Sequence, residues 1–267
     1  MSELPGWVPE GVDVTVPNAA RVYDYALGGV HNFEVDREFW RQAEKHMPEA
    51  GLVAQANRAF LGRAVRYLAA RGIRQFLDIG SGIPTLGNVH EAAQEADPSA
   101  RVMYVDIDPV AAQQSRAILG DDDRASVIQG DLRRPEEILN DPGVQRLLDF
   151  SEPVAVLTVA VLHFIPDSDR PAEIIRRLGD ALVSGSYLVL SHLGPDESRR
   201  AEQEGARRMY EKTATPVVMR DPGELAALLG PFEPVDPGIV MATDWHPDPD
   251  ADDVPQPAAL VVVARKP

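Results

Sequence analysis

The segment Gln75-Phe76-Leu77-Asp78-Ile79-Gly80-Ser81-Gly82 decides the fold of this chain. Its first five residues read as a short buried strand, and Gly80-Ser81-Gly82 turns that strand into a following helix. Glycine admits the backbone angles of such a turn and lets a ligand lie against the main chain. In an open α/β sheet this junction falls at the carboxyl edge, where ligands bind. Asp78 sets a carboxylate there.

Downstream, strands and helices alternate. A helix is expected from about Thr85 to Ala96, a strand over Arg101–Val105, a helix over Val110–Leu119 and a strand over Ala125–Gln129. Short helical pieces follow from Pro135 to Phe150. Val154–Leu162 is a continuous apolar strand of the kind covered on both faces. Pro171–Leu182 reads as a helix and Ser186–Ser191 as a fifth strand. The alternation predicts a doubly wound, mostly parallel sheet. Helices over Glu197–Lys212 and Pro222–Leu229, a proline-broken strand over Phe232–Met241 and a clear strand over Ala258–Ala264 complete the chain.

Upstream, residues 1–16 are an irregular arm, and Pro17–Arg71 is helical, interrupted at Gly28-Gly29. The expected division is an N-terminal arm and helical cap over residues 1–72, then a sheet domain over residues 73–267 with a helical insert at about 194–230.

Two more acids stand at strand ends. Asp106 closes the second strand, where an acid takes ribose hydroxyls in nucleoside-binding sheets. Asp131 follows the third strand in Gln129-Gly130-Asp131-Leu132. Three acids at successive strand ends outline one ligand surface. The dinucleotide pattern Gly-x-Gly-x-x-Gly fails at Thr85, with Pro84 before it and Gly87 too late. A pyrophosphate sits poorly beside Asp78, whereas a ligand carrying a sulfonium and an ammonium suits it.

Composition narrows the field. The 267 residues are 44% hydrophobic and 25% charged, ordinary for a globular protein. There is no cysteine, which excludes disulfides, thiolate metal sites and a cysteine nucleophile. The first ten residues lack a signal-peptide pattern, and the apolar run Val154–Ile165 is too short to span a bilayer, so a cytoplasmic location is expected. A net charge of -16 disfavours nucleic acid and anionic membranes and favours neutral or cationic small molecules.

The motifs Leu77-Asp78-Ile79-Gly80-Ser81-Gly82, Tyr104-Val105-Asp106-Ile107-Asp108-Pro109, Gly130-Asp131-Leu132 and Leu162-His163-Phe164-Ile165-Pro166-Asp167 together resemble class I S-adenosylmethionine (SAM)-dependent methyltransferases. More narrowly, Arg21-Val22-Tyr23-Asp24-Tyr25-Ala26-Leu27-Gly28-Gly29, Ile83-Pro84-Thr85 and Asn88-Val89-His90-Glu91 resemble a bacterial S-adenosyl methyltransferase family formerly listed as a domain of unknown function. The resemblance runs from about Asn18 to the final strand. It implies about seven strands, the last antiparallel, with SAM as cofactor and S-adenosylhomocysteine as product. Asp78 and the Gly80-Ser81-Gly82 turn would meet the methionine end. Asp106 would hold the ribose, with Ile107 and Asp108 beside it. Gly130, Asp131 and Leu132 would border the adenine, and Ala160 would line the floor.

Other residues carry two readings each. The arm around Arg21, Tyr23 and Gly28 either closes over the cofactor's carboxylate or forms a helix packed on the sheet with a Gly-Gly break. His163 either accepts a proton from substrate or is tied to a loop by a hydrogen bond. His192, His90 and His31 are weaker candidates. Asp121–Asp123 and Asp248–Asp253 either bind a hard cation or are solvated loops. Trp245 and His246 either line a substrate wall or pack in the cap. The expected activity is methyl transfer to an unidentified, small-molecule acceptor. The alternatives are a non-catalytic SAM-binding regulatory or partner-binding protein, an NAD-dependent oxidoreductase, and a transferase moving another part of such a cofactor.

Overall fold

The computed structural model describes residues 6–9, 11–84, 87–196, 200–210, 216–248 and 259–267. Three helices come first: α1 (Ala19–Ala26), α2 (Glu34–His46) and α3 (Ala50–Ala69). The alternating section follows with β1 (Gln75–Ile79), α4 (Val89–Ala96), β2 (Arg101–Asp106), α5 (Pro109–Leu119) and β3 (Ala125–Gln129). Next come α6 (Pro135–Leu139), α7 (Pro142–Leu147), β4 (Ala155–Val159), α8 (Pro171–Asp180) and β5 (Tyr187–Leu193). The tail holds α9 (Arg200–Tyr210), α10 (Pro222–Leu228), β6 (Glu233–Pro234), β7 (Val240–Met241) and β8 (Ala259–Arg265).

The strands form one sheet in the order β3-β2-β1-β4-β5-β8-β6, with β7 also paired to β8. β1 to β5 run parallel, and β8 runs antiparallel between β5 and β6. The order reverses between β1 and β4, which opens a crevice at their carboxyl ends. The strand expected over Phe232–Met241 is two two-residue strands instead. Pro234 and Pro237 each lack the N–H that a continuous ladder needs. The first part of the helix expected from Thr85, and the acidic stretch beyond Asp248, lie outside the described residues.

Side-chain alternation builds two cores. Phe76, Val102, Tyr104, Leu157, Val189 and Val261 face α3, packing with Phe60, Leu61, Ala64 and Leu68. Leu77, Ile79, Met103, Val156, Leu188 and Val262 face the other way, against Ile174, Ile175, Leu178 and Leu225. α3 therefore covers the sheet, and Phe60, Ala64 and Leu68 are fully buried because their helical spacing keeps them on one face. Trp245, also fully buried, meets Phe60 and Tyr67 edge-on in this core, so it packs and lines no substrate wall. Among the described residues no helix is long and apolar enough to cross a membrane.

Candidate cofactor and acceptor site

A cavity of about 500 Å³ lies beyond the carboxyl ends of the parallel strands. Its floor comes from Asp78–Gly82, Asp106–Pro109, Gly130–Arg133, Val159–Val161 and Ser191–Leu193. Its roof comes from α1, Trp40 of α2, residues of α3 between Ala50 and Leu61, and Gln203, Arg207 and Tyr210 of α9. Strand parity explains the floor. Asp78, Asp106 and Ser191 continue the rows Phe76, Tyr104 and Val189, so they emerge on the face that α3 covers.

The turn after β1 is fixed from within. Gly80 has φ 72°, and a Cβ there would lie 2.0 Å from Val161 Cγ2, so only glycine fits. The Gly80 and Ser81 amides both donate to the Val105 carbonyl, at 2.7 and 3.2 Å. The Gly82 amide donates to Asp106 Oδ2 at 2.7 Å, and the Asp108 amide donates to Asp106 Oδ1 at 2.8 Å. Backbone donors thus hold the Asp106 carboxylate rigid, while each oxygen keeps acceptor capacity for a ligand. Asp108 caps α5 by accepting from the Val110 amide at 2.8 Å, with Pro109 in the first helical turn. At Gly130 a Cβ would come 2.8 Å from Val105 Cγ1, which keeps the β3 turn close to β2. Asp131 pairs with Arg133 at 2.7 Å.

Two of these acids hold their protons to higher pH than an ordinary carboxyl. Burial pushes the Asp78 carboxyl up to about 7, with the Asp106 charge adding to the rise and Arg58 opposing it. Burial likewise raises Asp106 to about 6, against the backbone hydrogen bonds from Asp108 and Gly82. Burial also acts on Asp131, but its bonds from Arg133 outweigh it and hold that carboxyl below its ordinary value. Two buried carboxyls with raised pKa values at strand ends form a seat for positive charge and for hydroxyls.

The other end of the cavity is apolar and aromatic. Trp40, Met47, Phe164, Tyr210, Val217 and Met219 line it, and Phe164 and Tyr210 lie 6.0 Å apart. His163 reaches this region from the turn after β4, with a buried Nδ1 that has no hydrogen-bond partner. Burial, then His192 and Arg220, push its pKa well below the ordinary histidine value, so its ring is neutral at pH 7. His192 also lines the cavity but is tied. Its Nδ1–H donates to the Leu193 carbonyl at 2.9 Å, because Nε2 accepts from Arg220 at 2.9 Å. Arg220 is anchored further by the Leu162 and Ile165 carbonyls and by Asp167.

One hydrogen-bond chain joins roof to floor. Tyr23 Oη donates to the Ala54 carbonyl at 3.1 Å and accepts from Asn57 Nδ2 at 3.1 Å. Asn57 Oδ1 accepts from Ser191 Oγ, which accepts from the Ala160 amide at 2.8 Å. Ala160 sits at φ 58°, a left-handed angle uncommon outside glycine and frequent at functional sites.

Tyr23, Asp78, Gly80, Ser81, Gly82, Asp106, Ile107, Asp108, Gly130, Asp131, Leu132, Ala160 and His163 all line this cavity. Arg21 and Gly28 do not, which corrects the reading of them as cofactor contacts. Arg21 is 3% exposed, 3.6 Å from Asp36 and 3.5 Å from Asp108, and donates to the Val16 carbonyl at 2.9 Å. It ties α1 to α2 and to the β2 turn. Gly28, at φ 80°, reverses the chain after α1. Gly29 leaves room for Asp24, whose carboxylate accepts from the His31 amide and from Asn32. His90 is bound to the Tyr104 hydroxyl at 2.8 Å and lies outside the cavity lining. Sequence reasoning missed Asn57, Arg58 and Ser191. Asn57 carried a signal: it continues the buried row Ala50, Ala54, Leu61 as a polar residue on an apolar helix face.

A family model described as S-adenosyl methyltransferase matches residues 5–267. Among solved structures, a DUF574 family protein from Streptomyces avermitilis is 38% identical, with 96% of this chain and 99% of that chain covered and a TM-score of 0.91. A candidate methyltransferase from Thermobifida fusca is 41% identical, with 98% and 99% covered and a TM-score of 0.91. Human N-acetylserotonin methyltransferase, solved with SAM, is 15% identical, with 94% of this chain and 63% of that chain covered and a TM-score of 0.50, a likeness of fold alone. A search of curated proteins gave no match.

Proposed function

The chain belongs to the S-adenosyl methyltransferase family and is a SAM-dependent methyltransferase; we propose that its acceptor is a small apolar molecule bearing an acidic hydroxyl, with His163 taking the proton. The observation that carries this reading is the cavity that runs from Asp78 and Asp106 to an aromatic end holding a neutral, unpartnered imidazole nitrogen.

The residues present fit the cofactor. Asp106, held by two backbone amides, would accept from the ribose hydroxyls. Ile107 and Leu132 would flank the adenine, with Asp131 at its edge. Asp78 would take the ammonium. A volume of about 500 Å³ is that of a small-molecule site. Bound SAM supplies a methyl group already activated on a positively charged sulfur. The protein's remaining work is to orient the acceptor, exclude water and receive a proton.

The physical state of His163 limits the acceptor. A depressed pKa guarantees the neutral ring but makes it a weak base. Such a base matches an oxygen acid nearer a phenol than an aliphatic alcohol. The walls of Trp40, Phe164 and Tyr210 suit a flat apolar body. This molecule is acidic overall, which supports a small acceptor over nucleic acid.

The test is to incubate the protein with methyl-labelled SAM and a panel of phenolic and aliphatic hydroxyl compounds, and to follow label transfer. Transfer to phenols is expected, with His163→Gln lowering kcat by about 10²-fold or more at undiminished SAM affinity. Transfer confined to proteins or nucleic acids, or a parental kcat in the variant, would overturn the acceptor reading.

A further inference from the structure

Arg58 is a cationic side chain in the cavity whose purpose the fold does not explain. It stands on α3 and lines the cavity on the face of the sheet that carries Asp78. Its Nε is buried without a hydrogen-bond partner, and among the described residues no carboxylate forms an ion pair with it. Leaving a buried donor unsatisfied is costly, so the arrangement suits a donor kept for a ligand.

Its position is built. The Arg58 guanidinium carbon lies 6.0 Å from the centre of the Tyr23 ring. The Tyr23 hydroxyl is in turn fixed by Ala54 and by Asn57, the residue adjacent to Arg58. On the other side, the stem runs close to the turn before α4, where a Cβ on Gly87 would come 3.9 Å from Arg58 Cγ and Cδ. That is ordinary van der Waals distance, so the stem lies alongside this turn. The guanidinium is thus guided between α1 and the turn after β1, over the end of the cavity where Asp78 sits. Asp78 and Arg58 feel each other's charge without forming an ion pair.

We infer that Arg58 is the anchor for the α-carboxylate of the cofactor's methionine portion, paired across the cavity with Asp78 as the seat of its α-ammonium. The inference rests on the SAM-binding reading above and adds the residue that selects the amino-acid end. The chemistry is matched: one fixed cation and one fixed anion meet a zwitterion, and the planar fork of arginine fits a carboxylate with two parallel bonds. The anchor also replaces Arg21, which the fold uses elsewhere. It sets the direction of the methionine chain and hence where the methyl group points.

The experiment compares calorimetric affinities for SAM and for decarboxylated SAM, which differ only in the carboxylate. The parent protein should prefer SAM by about 30-fold, the value of a charge-assisted hydrogen-bonded pair. Arg58→Gln should bring that ratio close to one while leaving decarboxylated SAM binding near its parental strength. Arg58→Lys should restore part of the preference, since it keeps the charge and loses the fork. A parent that binds both compounds equally overturns the inference without any variant. So does an Arg58→Gln protein that keeps the full preference, or that loses both ligands alike. If the parent binds neither compound, the SAM-binding reading itself falls, a result distinct from an unchanged ratio.

Discussion

Replacing Asp78 by Asn should stabilise the ligand-free protein and weaken its hold on SAM at the same time. The Asp78 carboxyl ordinarily ionises near 3.8 and is raised to about 7, chiefly by burial. A shift of about three units corresponds to about 4 kcal/mol of unfavourable free energy when the group is charged. Between pH 4, where the unfolded chain loses this proton, and pH 7, where the folded protein loses it, the folded state holds the extra proton. Raising the pH through that window therefore destabilises the parent, and above about pH 7 the whole cost is present. Asp78→Asn removes the charge with little change of shape. Allowing half of the cost to be recovered, about 2 kcal/mol, Tm at pH 8 should rise by about 4–8 °C. At pH 4 the gain should vanish, because the parent is then neutral at this position. The same variant should lose on the order of tenfold or more in SAM affinity, since an amide gives no charge-assisted bond to an ammonium. Thermal melts at pH 4 and pH 8, with and without SAM, read both effects. A variant that melts below the parent at pH 8 without ligand, or that binds SAM undiminished, would refute the reasoning.

Three further outcomes are expected. Gly80→Ala places a Cβ 2.0 Å from Val161 at a left-handed backbone position, so the β1 turn must move; SAM binding should be lost or nearly so, with melting temperature reporting the strain. Arg21→Met leaves Asp36 and Asp108 buried without their cation and should cost about 3–5 kcal/mol in denaturant unfolding at pH 7. Because burial raises both carboxyls, part of that loss should return as the pH falls and they protonate. Asp106→Ala removes the acceptor of two backbone amides and the ribose seat, and calorimetry should show a sharp fall in affinity for both SAM and S-adenosylhomocysteine.

The sheet was legible because its strands are buried on both faces and read as apolar runs with glycine turns. β1 and β3 match their expected limits, and β2 differs only by including Asp106. Strand parity then places Asp78 and Asp106 on the face that α3 covers, where the cavity lies. Arg21 was misjudged because a sequence shows that a residue is cationic, whereas its partners are set by how α1 docks on α2. Asp36 and Asp108 stand 15 and 87 residues away along the chain, and nothing local marks them as its counterions. Arg58 was missed for the converse reason. An arginine inside a long amphipathic helix reads as a solvated side chain until the turn after β1 is laid against it. The aromatic end was hidden because Trp40, Phe164 and Tyr210 come from three elements far apart in sequence.

The central claim is that this cavity binds SAM through its nucleoside and its amino-acid end. Calorimetric titration of the protein in parallel with SAM, S-adenosylhomocysteine and NADH tests it most directly. The structure predicts saturable binding of SAM and S-adenosylhomocysteine and none of NADH. Absence of SAM binding, or preference for NADH, would contradict the account and leave only the fold.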